Sequence, residues 1–366
     1  MRQIEYQYWL ANIQGIGIKK RQKLLNEFHN AENVFKASKY KLLKTFLNKK
    51  DIDNIINSKN IDNIKRELEE LDKKGIDFIT IENNTYPAKL REIYDPPYAL
   101  YVKGKLPSEN EKVIAVVGAR DCSDYGIEVA TYLTNKLAKN GISIVSGLAR
   151  GIDYYSHKGA LSSNGITYAV LGSGVDICYP IENFNIYMDM QKQGGVISEY
   201  KHGSKPLPHN FPMRNRMISG LSDGILVVEA RQKSGSLITV DMGLDQGKEI
   251  YSVPGRITDK LSYGCNNLLG MGAKIVTTPD DILEDLLDNY KEFDNNSKIN
   301  IKILENEEKV VYACLGFTPK HIDEVQTETN MNITQLITTL LSLEMKDYIY
   351  QSSKNYYSKR LNIDIN

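Results

Sequence analysis

Between Phe211 and Thr239 the chain places an aromatic ring and four cations, Arg214, Arg216, Arg231 and Lys233, around one short apolar run, Gly224 to Glu229, and closes on Ser234-Gly235-Ser236. Guanidinium and ammonium groups bind phosphate oxygens through charge-assisted hydrogen bonds. An aromatic face stacks on any base. A small-residue helix start offers free backbone amides and the positive end of the helix dipole to one phosphate. Ser236 also serves as a plain N-cap for that helix, a role compatible with the first. The chemistry implied is the binding of phosphates and bases.

The same character recurs at other points. Gly118-Ala119-Arg120, Ser146-Gly147-Leu148-Ala149-Arg150-Gly151-Ile152-Asp153, Gly172-Ser173-Gly174, Glu229-Ala230-Arg231-Gln232-Lys233 and Pro254-Gly255-Arg256 each follow an apolar run, and four of the five carry arginine. Pairing of single arginines with Asp153, Asp176, Asp223 or Glu229, or with helix carboxyl ends, is the alternative use for each. Catalytic patterns are thin. The five histidines form no H-E-x-x-H, and no serine lies in G-x-S-x-G. Asp153 and His157, at i and i+4, read as a helix cap and a surface histidine. No loop opens a helix with G-x-G-x-x-G, so tight NAD binding is not expected and no cofactor is implied. Cys122, Cys178, Cys265 and Cys314 are far apart and form no C-x-x-C, which speaks against zinc and a disulfide framework.

The elements that must position these loops are legible from hydrophobic patterning. Val113 to Val117, Ile142 to Val145, Thr167 to Leu171, Val196-Ile197, Ile225 to Val228, Ile250 to Val253 and Lys274 to Val276 are apolar on both faces and separated by helix-length segments. That pattern predicts an α/β fold with an open, doubly wound, mostly parallel, Rossmann-like sheet covered on both sides. In such sheets ligands bind beyond the carboxyl ends of the strands. Residues 78 to 108, with Tyr86-Pro87, Asp95-Pro96-Pro97 and a candidate strand at Ala99 to Val102, read as an extension that joins the sheet to the helical segment.

At 366 residues the chain exceeds the roughly 250 to 300 residues at which single cores divide. We expect a helical domain over 1–77, a Rossmann-like domain over 78–288, a polar linker over 289–306 and a winged-helix-like domain over 307–366. Within the first, Ile13 to Leu25 reads as two helices around a glycine turn, either a helix-hairpin-helix whose amides and lysines meet DNA or a plain small bundle. The formal net charge is zero, yet residues 1–50 hold eleven Lys/Arg against three Asp/Glu. A neutral total therefore does not argue against a polyanionic partner. No run approaches the ~20 apolar residues of a membrane span, and a reduced, cytoplasmic setting is expected.

Taken together the motifs resemble the DNA-processing protein A family, also called DprA or Smf. The residues that carry the resemblance are Val117 to Arg120, Ser146 to Asp153, Tyr179-Pro180-Ile181-Glu182-Asn183, Ser198-Glu199-Tyr200, Phe211 to Arg216, Ser234 to Thr239 and Val253-Pro254-Gly255. It is dense from about residue 78 to 288 and looser at both ends. The resemblance implies a SAM/helix-hairpin-helix-like N-terminal domain, an extended Rossmann domain and a winged helix. It further implies a homodimer that binds single-stranded DNA without catalysis, protects it from nucleases and helps load the RecA recombinase in natural transformation. Arg120 and Phe211 match the family's arginine and aromatic. Where some members have a DNA-contacting lysine this chain has Pro208, with Lys205 as a substitute.

The DNA-binding set expected on both grounds is Arg120, Arg150, Lys205, Phe211, Arg214, Arg216, Arg231, Lys233, Ser234, Gly235 and Ser236, with double-stranded DNA as a further ligand and no metal or catalytic residue. Two rival functions use the same loops. One is a nucleotide-acting enzyme similar to the phosphoribohydrolases of the lysine-decarboxylase-like group, whose P-G-G-x-G-T-x-x-E this chain lacks. The other is an adaptor for an acidic protein. The winged helix's recognition helix, Ile333 to Ser342, carries no Lys or Arg, and residues 318–360 balance five of each charge. A protein contact or a weak auxiliary role suits it better than reading DNA.

Overall fold

The computed structural model describes residues 1–287 and 304–360. Six helices open the chain: α1 (Gln3–Ala11), α2 (Ile18–Phe28), α3 (Ala31–Lys36), α4 (Lys39–Leu42), α5 (Lys49–Asn57) and α6 (Ile61–Lys73). The glycine turn between α1 and α2 forms as expected, with Gly15 at φ +80° and Gly17 as the residue that precedes α2. Arg21 is turned inward and donates to the carbonyls of Leu10, Ala11 and Ile16, while Lys20 is paired with Asp51 at 2.7 Å. Two of the lysine-arginine cluster are thus committed to holding the hairpin, and Lys19 and Lys23 stay exposed.

The strands are β1 (Asp77–Thr80), β2 (Ala99–Gly104), β3 (Val113–Val117), β4 (Ser143–Ser146), β5 (Thr167–Val170), β6 (Gly195–Ser198), β7 (Gly224–Val227), β8 (Glu249–Ser252) and β9 (Lys274–Ile275). They make one nine-stranded sheet in the order β1-β2-β6-β5-β4-β3-β7-β8-β9. From β6 to β9 all neighbours are parallel, and β2 is antiparallel to both β1 and β6. Strand β1 carries too little apolar pattern to be read from sequence; its pairing with β2 supplies what its composition does not.

Side-chain alternation along β3 shows why both faces must be covered. Val113, Ala115 and Val117 pack with Leu90 of α7 (Ala88–Arg91), Met217, Ile218 and Leu221 of α11 (Asn210–Leu221) and Val240 of α12 (Gly235–Asp245). Ile114 and Val116 pack on the other side with Val129, Leu133 and Leu137 of α8 (Asp124–Lys139), Ile152 of α9 (Ile152–Ser162) and Ile282 of α14 (Asp280–Leu286). Helix α10 (Phe184–Gln193) precedes β6, and α13 (Tyr263–Gly270) precedes β9. A further core joins Tyr8, Trp9 and Leu10 of α1 to Tyr101 of β2, Ala169 of β5 and Val196 of β6, so the helical region and the sheet share apolar contacts.

The chain runs from β3 through β4 and β5 to β6 on one side, then returns to place β7 on the other side of β3. This is the switch in strand order at which open sheets leave a crevice beyond the strand ends. Because β3 to β8 are parallel, their following loops all lie along that one edge.

After residue 303 come α15 (Asn306–Cys314), α16 (Ile322–Thr329) and α17 (Ile333–Met345), with an antiparallel sheet of β10 (Lys320–His321), β11 (Ile349–Ser353) and β12 (Tyr356–Lys359). Three helices and a hairpin form the expected winged helix. Its short β10 is not foreseen by the sequence pattern, and most of the linker expected over 289–306 lies outside the described residues. No helix among the described residues is long and apolar enough to cross a membrane.

Helices α8 and α9 touch where Gly159 has no side chain. A Cβ there would lie 2.1 Å from Thr134 Oγ1 and 2.5 Å from the Thr131 carbonyl. Overpacking of this order costs about 1–3 kcal/mol. Gly159→Leu should therefore lower the urea midpoint of the full chain, followed by far-UV circular dichroism; an unchanged midpoint would show that the two helices can part at no cost.

Candidate nucleic-acid interface

At the switch in strand order lies an open cleft of about 590 Å3, lined by Arg120, Tyr179, Phe211, Arg214, Arg231, Lys233 and the residues from Ser234 to Ser236, among others. Its walls are the loops that follow β3 and β7, and the starts of α11 and α12.

Backbone contacts allowed only by glycine bind these loops together. Ile152 N–H donates to the Ala119 carbonyl at 3.1 Å. Gly151, at φ +75°, passes so close that a Cβ would lie 2.3 Å from the Ala119 carbonyl and 2.4 Å from that of Arg120. Any side chain at 151 would push the Arg120 loop away. Across the switch, Glu229 is buried and accepts from the Ser123 amide at 2.9 Å and from its hydroxyl at 2.5 Å. The acid that follows β7 thus holds the residue that caps α8. Burial raises its carboxyl, with the Ser123 hydrogen bonds opposing.

Arg214 forms the floor. It is 4% exposed, and its Nη1 donates to the Gly147 carbonyl at 2.9 Å and to the Val170 carbonyl. Asp153 lies beside it and accepts from the amides of Gly147 and Ala149 at 3.1 and 3.3 Å. A Cβ at Gly147 would fall 2.6 Å from Arg214 and 2.7 Å from Asp153. Burial lowers Arg214 to about 10, with Asp153 opposing. Burial raises Asp153, with the cation of Arg214 opposing.

Arg216 faces elsewhere. Its guanidinium makes two hydrogen bonds to Glu199, at 2.8 and 2.7 Å, and one to Asp95 at 3.1 Å, and the residue is 3% exposed. The R-N-R run therefore sends its two arginines inward to hold α11, Arg214 to loop carbonyls and Arg216 to the partly buried carboxylates of Glu199 and Asp95. Arg150 is exposed and paired with Glu182, outside the cleft lining. Lys205 is exposed beside Pro206 of the lining. Arg120, Arg231 and Lys233 are the exposed cations that line the cleft.

Two further expectations change. Ser234, not Ser236, caps α12: its hydroxyl accepts from the Ser236 amide at 3.4 Å and lies 2.7 Å from the Ser236 hydroxyl. His157 is not on the surface. It is fully buried, with Nδ1 2.7 Å from Thr167 Oγ1, and burial pushes it down to about 3. Asp153 does not cap its helix either, since it reaches back to the loop amides. Sequence reasoning missed Tyr179 as a site residue. It is half exposed, and its ring centroid lies 5.6 Å from that of Phe211. An exposed tyrosine within a matched motif was the signal available. Among the described residues no group of three or more His, Cys, Asp or Glu is arranged to hold a metal ion.

In the winged helix, α17 exposes Ile333, Ile337, Leu341 and Met345. The spacing of four makes these one apolar stripe on the helix that would read DNA.

Comparison with known proteins gives a consistent result. Residues 77–287 match the model of the family described as DNA recombination-mediator protein A, and residues 300–353 that of the DprA winged helix domain. Protein Smf of Synechocystis is 36% identical over 293 residues, covering 78% of this chain and 74% of the relative. DNA processing protein DprA of Bacillus subtilis is 41% identical over 225 residues, covering 61% and 75%. The structure of DprA from Streptococcus pneumoniae superposes with TM-score 0.68 at 32% identity, over 79% of this chain and all of the other. DprA from Helicobacter pylori, whose structure is described for its single-stranded DNA binding mode, gives TM-score 0.52 at 29% identity, over 58% and 97%.

Removing the cation under the cleft should expose the cost of Asp153. Arg214→Met leaves a buried carboxylate without its counter-charge, a loss of about 3–5 kcal/mol at neutral pH. The native carboxyl then holds its proton above the unfolded-state value of ~3.9, so the folded state binds more protons and stability falls as pH rises from there. The deficit should shrink towards pH 4, as followed by urea midpoints of the variant and wild type across pH.

Proposed function

Since the chain belongs to the DNA recombination-mediator protein A family, DprA/Smf, we propose that it binds single-stranded DNA along the cleft at the switch in strand order and hands it to the RecA recombinase without catalysing a reaction on it. The observation that carries this reading is the joint lining of one cleft by exposed Arg120, Arg231 and Lys233, the Tyr179 and Phe211 rings and the start of α12. Cations meet backbone phosphates, and the rings accept any base, so recognition is largely independent of sequence and sensitive to salt. Most groups nearby that would suit acid or base chemistry are engaged, Glu229 with Ser123, Asp153 with loop amides and His157 in the core, which leaves the exposed Asp121 in the lining. That favours binding over the phosphoribohydrolase-like alternative.

RecA loading, a homodimer and a role in transformation rest on the family resemblance. Arg214 and Arg216 serve this function by positioning the cleft, and Arg150 and Lys205 extend it at the rim. The apolar stripe on α17 supports a protein contact for the winged helix.

Hydrogen bonds to charged groups contribute about 1.5–3 kcal/mol, so Arg120→Ala should weaken binding of labelled oligo-dT by roughly tenfold or more. Its circular dichroism should match the wild type, and the slope of log affinity against log salt should fall by about 0.7, the change expected when one phosphate is no longer neutralised. Unchanged affinity would remove Arg120 from the interface. Deleting residues 307–366 should leave both affinity and salt slope nearly intact; a large loss of either would instead make the winged helix a DNA-binding element.

A further inference from the structure

Four features belong to the lining of the cleft or stand directly behind it. Tyr179 and Phe211 stand with ring planes 38° apart, and Tyr179 is half exposed. Phe211 is seated against Gly172, where a Cβ would lie 3.0 Å from the ring, so the aromatic pair has a fixed backing. At the start of α12 the space beside Gly235 is open, with no atom beyond its chain neighbours and its own stretch of helix within 4 Å of the place its Cβ would take. Arg214, almost wholly buried and part of the same lining, has an Nε with no hydrogen-bond partner among the described residues. A buried donor left unpaired costs free energy unless a ligand or water claims it. The volume, about 590 Å3, falls in the range of small-molecule sites.

We infer that the cleft is a seat for a single nucleoside 5′-monophosphate, and that free nucleoside monophosphates occupy it in competition with a DNA strand. The base stacks on the Tyr179–Phe211 pair, and the phosphate sits at the start of α12, between Arg120 and the floor made by Arg214. One helix start serves one phosphate. Asp121, also in the lining, opposes further negative charge and disfavours the triphosphate. The assignment of base and phosphate ends rests on the DNA reading above. Its consequence is distinct: the binding edge responds to the local nucleotide concentration, as when a DNA strand is being degraded nearby.

The test titrates dTMP, thymidine and inorganic phosphate into the full-length protein by calorimetry, and in parallel against a bound, labelled oligo-dT. At concentrations up to about 10 mM, dTMP should displace the oligonucleotide, and thymidine or phosphate alone should each be weaker by roughly fivefold or more. Tyr179→Ala should lower dTMP affinity by at least about fivefold while Tyr179→Phe retains it. Gly235→Leu should abolish dTMP binding with an unchanged melting temperature, since the added side chain enters open space. Normal oligo-dT binding that dTMP fails to displace would overturn the proposal and leave the DNA reading standing. Phosphate that competes as well as dTMP would also overturn it, because stacking would then contribute nothing. Loss of oligo-dT binding by the wild type would sink the DNA reading instead, and the calorimetric titration would still decide whether the nucleotide seat exists.

Discussion

A guanidinium buried among three loops sets the geometry of the binding edge. Arg214 comes from the first turns of α11 and donates to carbonyls at the ends of β4 and β5, beside the carboxylate of Asp153 at the start of α9. Neither charge would be stable there alone, because taking an unpaired ion out of water costs several kcal/mol. Together they fix α11, and with it Phe211, against the strand ends. The exposed cations of the cleft can then be few, since the frame that aims them is rigid. Preorganised groups lose less entropy on binding than mobile ones.

Glycine determines how closely that frame can be drawn. Gly147 leaves room for both Arg214 and Asp153, and Gly151 lets the loop of α9 lie against the backbone of Ala119 and Arg120. Glu229 completes the circuit by reaching from β7 to Ser123 at the head of α8. The matched motifs are thus mostly about loop-to-loop distances, and only some of their residues face solvent.

The layout of the sheet is legible in the sequence because its strands are apolar on both faces, a pattern that leaves few alternatives. The edge that carries the site follows from the rule for open parallel sheets. Which cations face water cannot be read in the same way. Arg216 and its partners Asp95 and Glu199 are 121 and 17 residues apart in the chain, and nothing in R-N-R distinguishes a guanidinium that finds such partners from one that does not. His157 escapes a reading of the sequence for the same reason: a helix with polar residues on several sides gives no clear buried face, and Thr167, its partner, lies on the next strand. Tyr179 lines the cleft and packs against Phe211, a pairing of two motifs that the sequence does not announce.

The order of strands has a consequence for how the molecule comes into being. Strands β3 and β7 are neighbours, yet β4, β5 and β6 are all made between them. On the ribosome the Arg120 loop emerges well before Glu229, Arg231 and the start of α12 exist. The nascent chain must hold the edge of β3 unpaired until β7 arrives, a non-local closure of the kind that slows folding and leaves sheet edges exposed. Capacity to grip a polyanion therefore appears late, after the second wall of the cleft has been synthesised, so an unfinished chain has little means of seizing nucleic acid while still tethered to a ribosome.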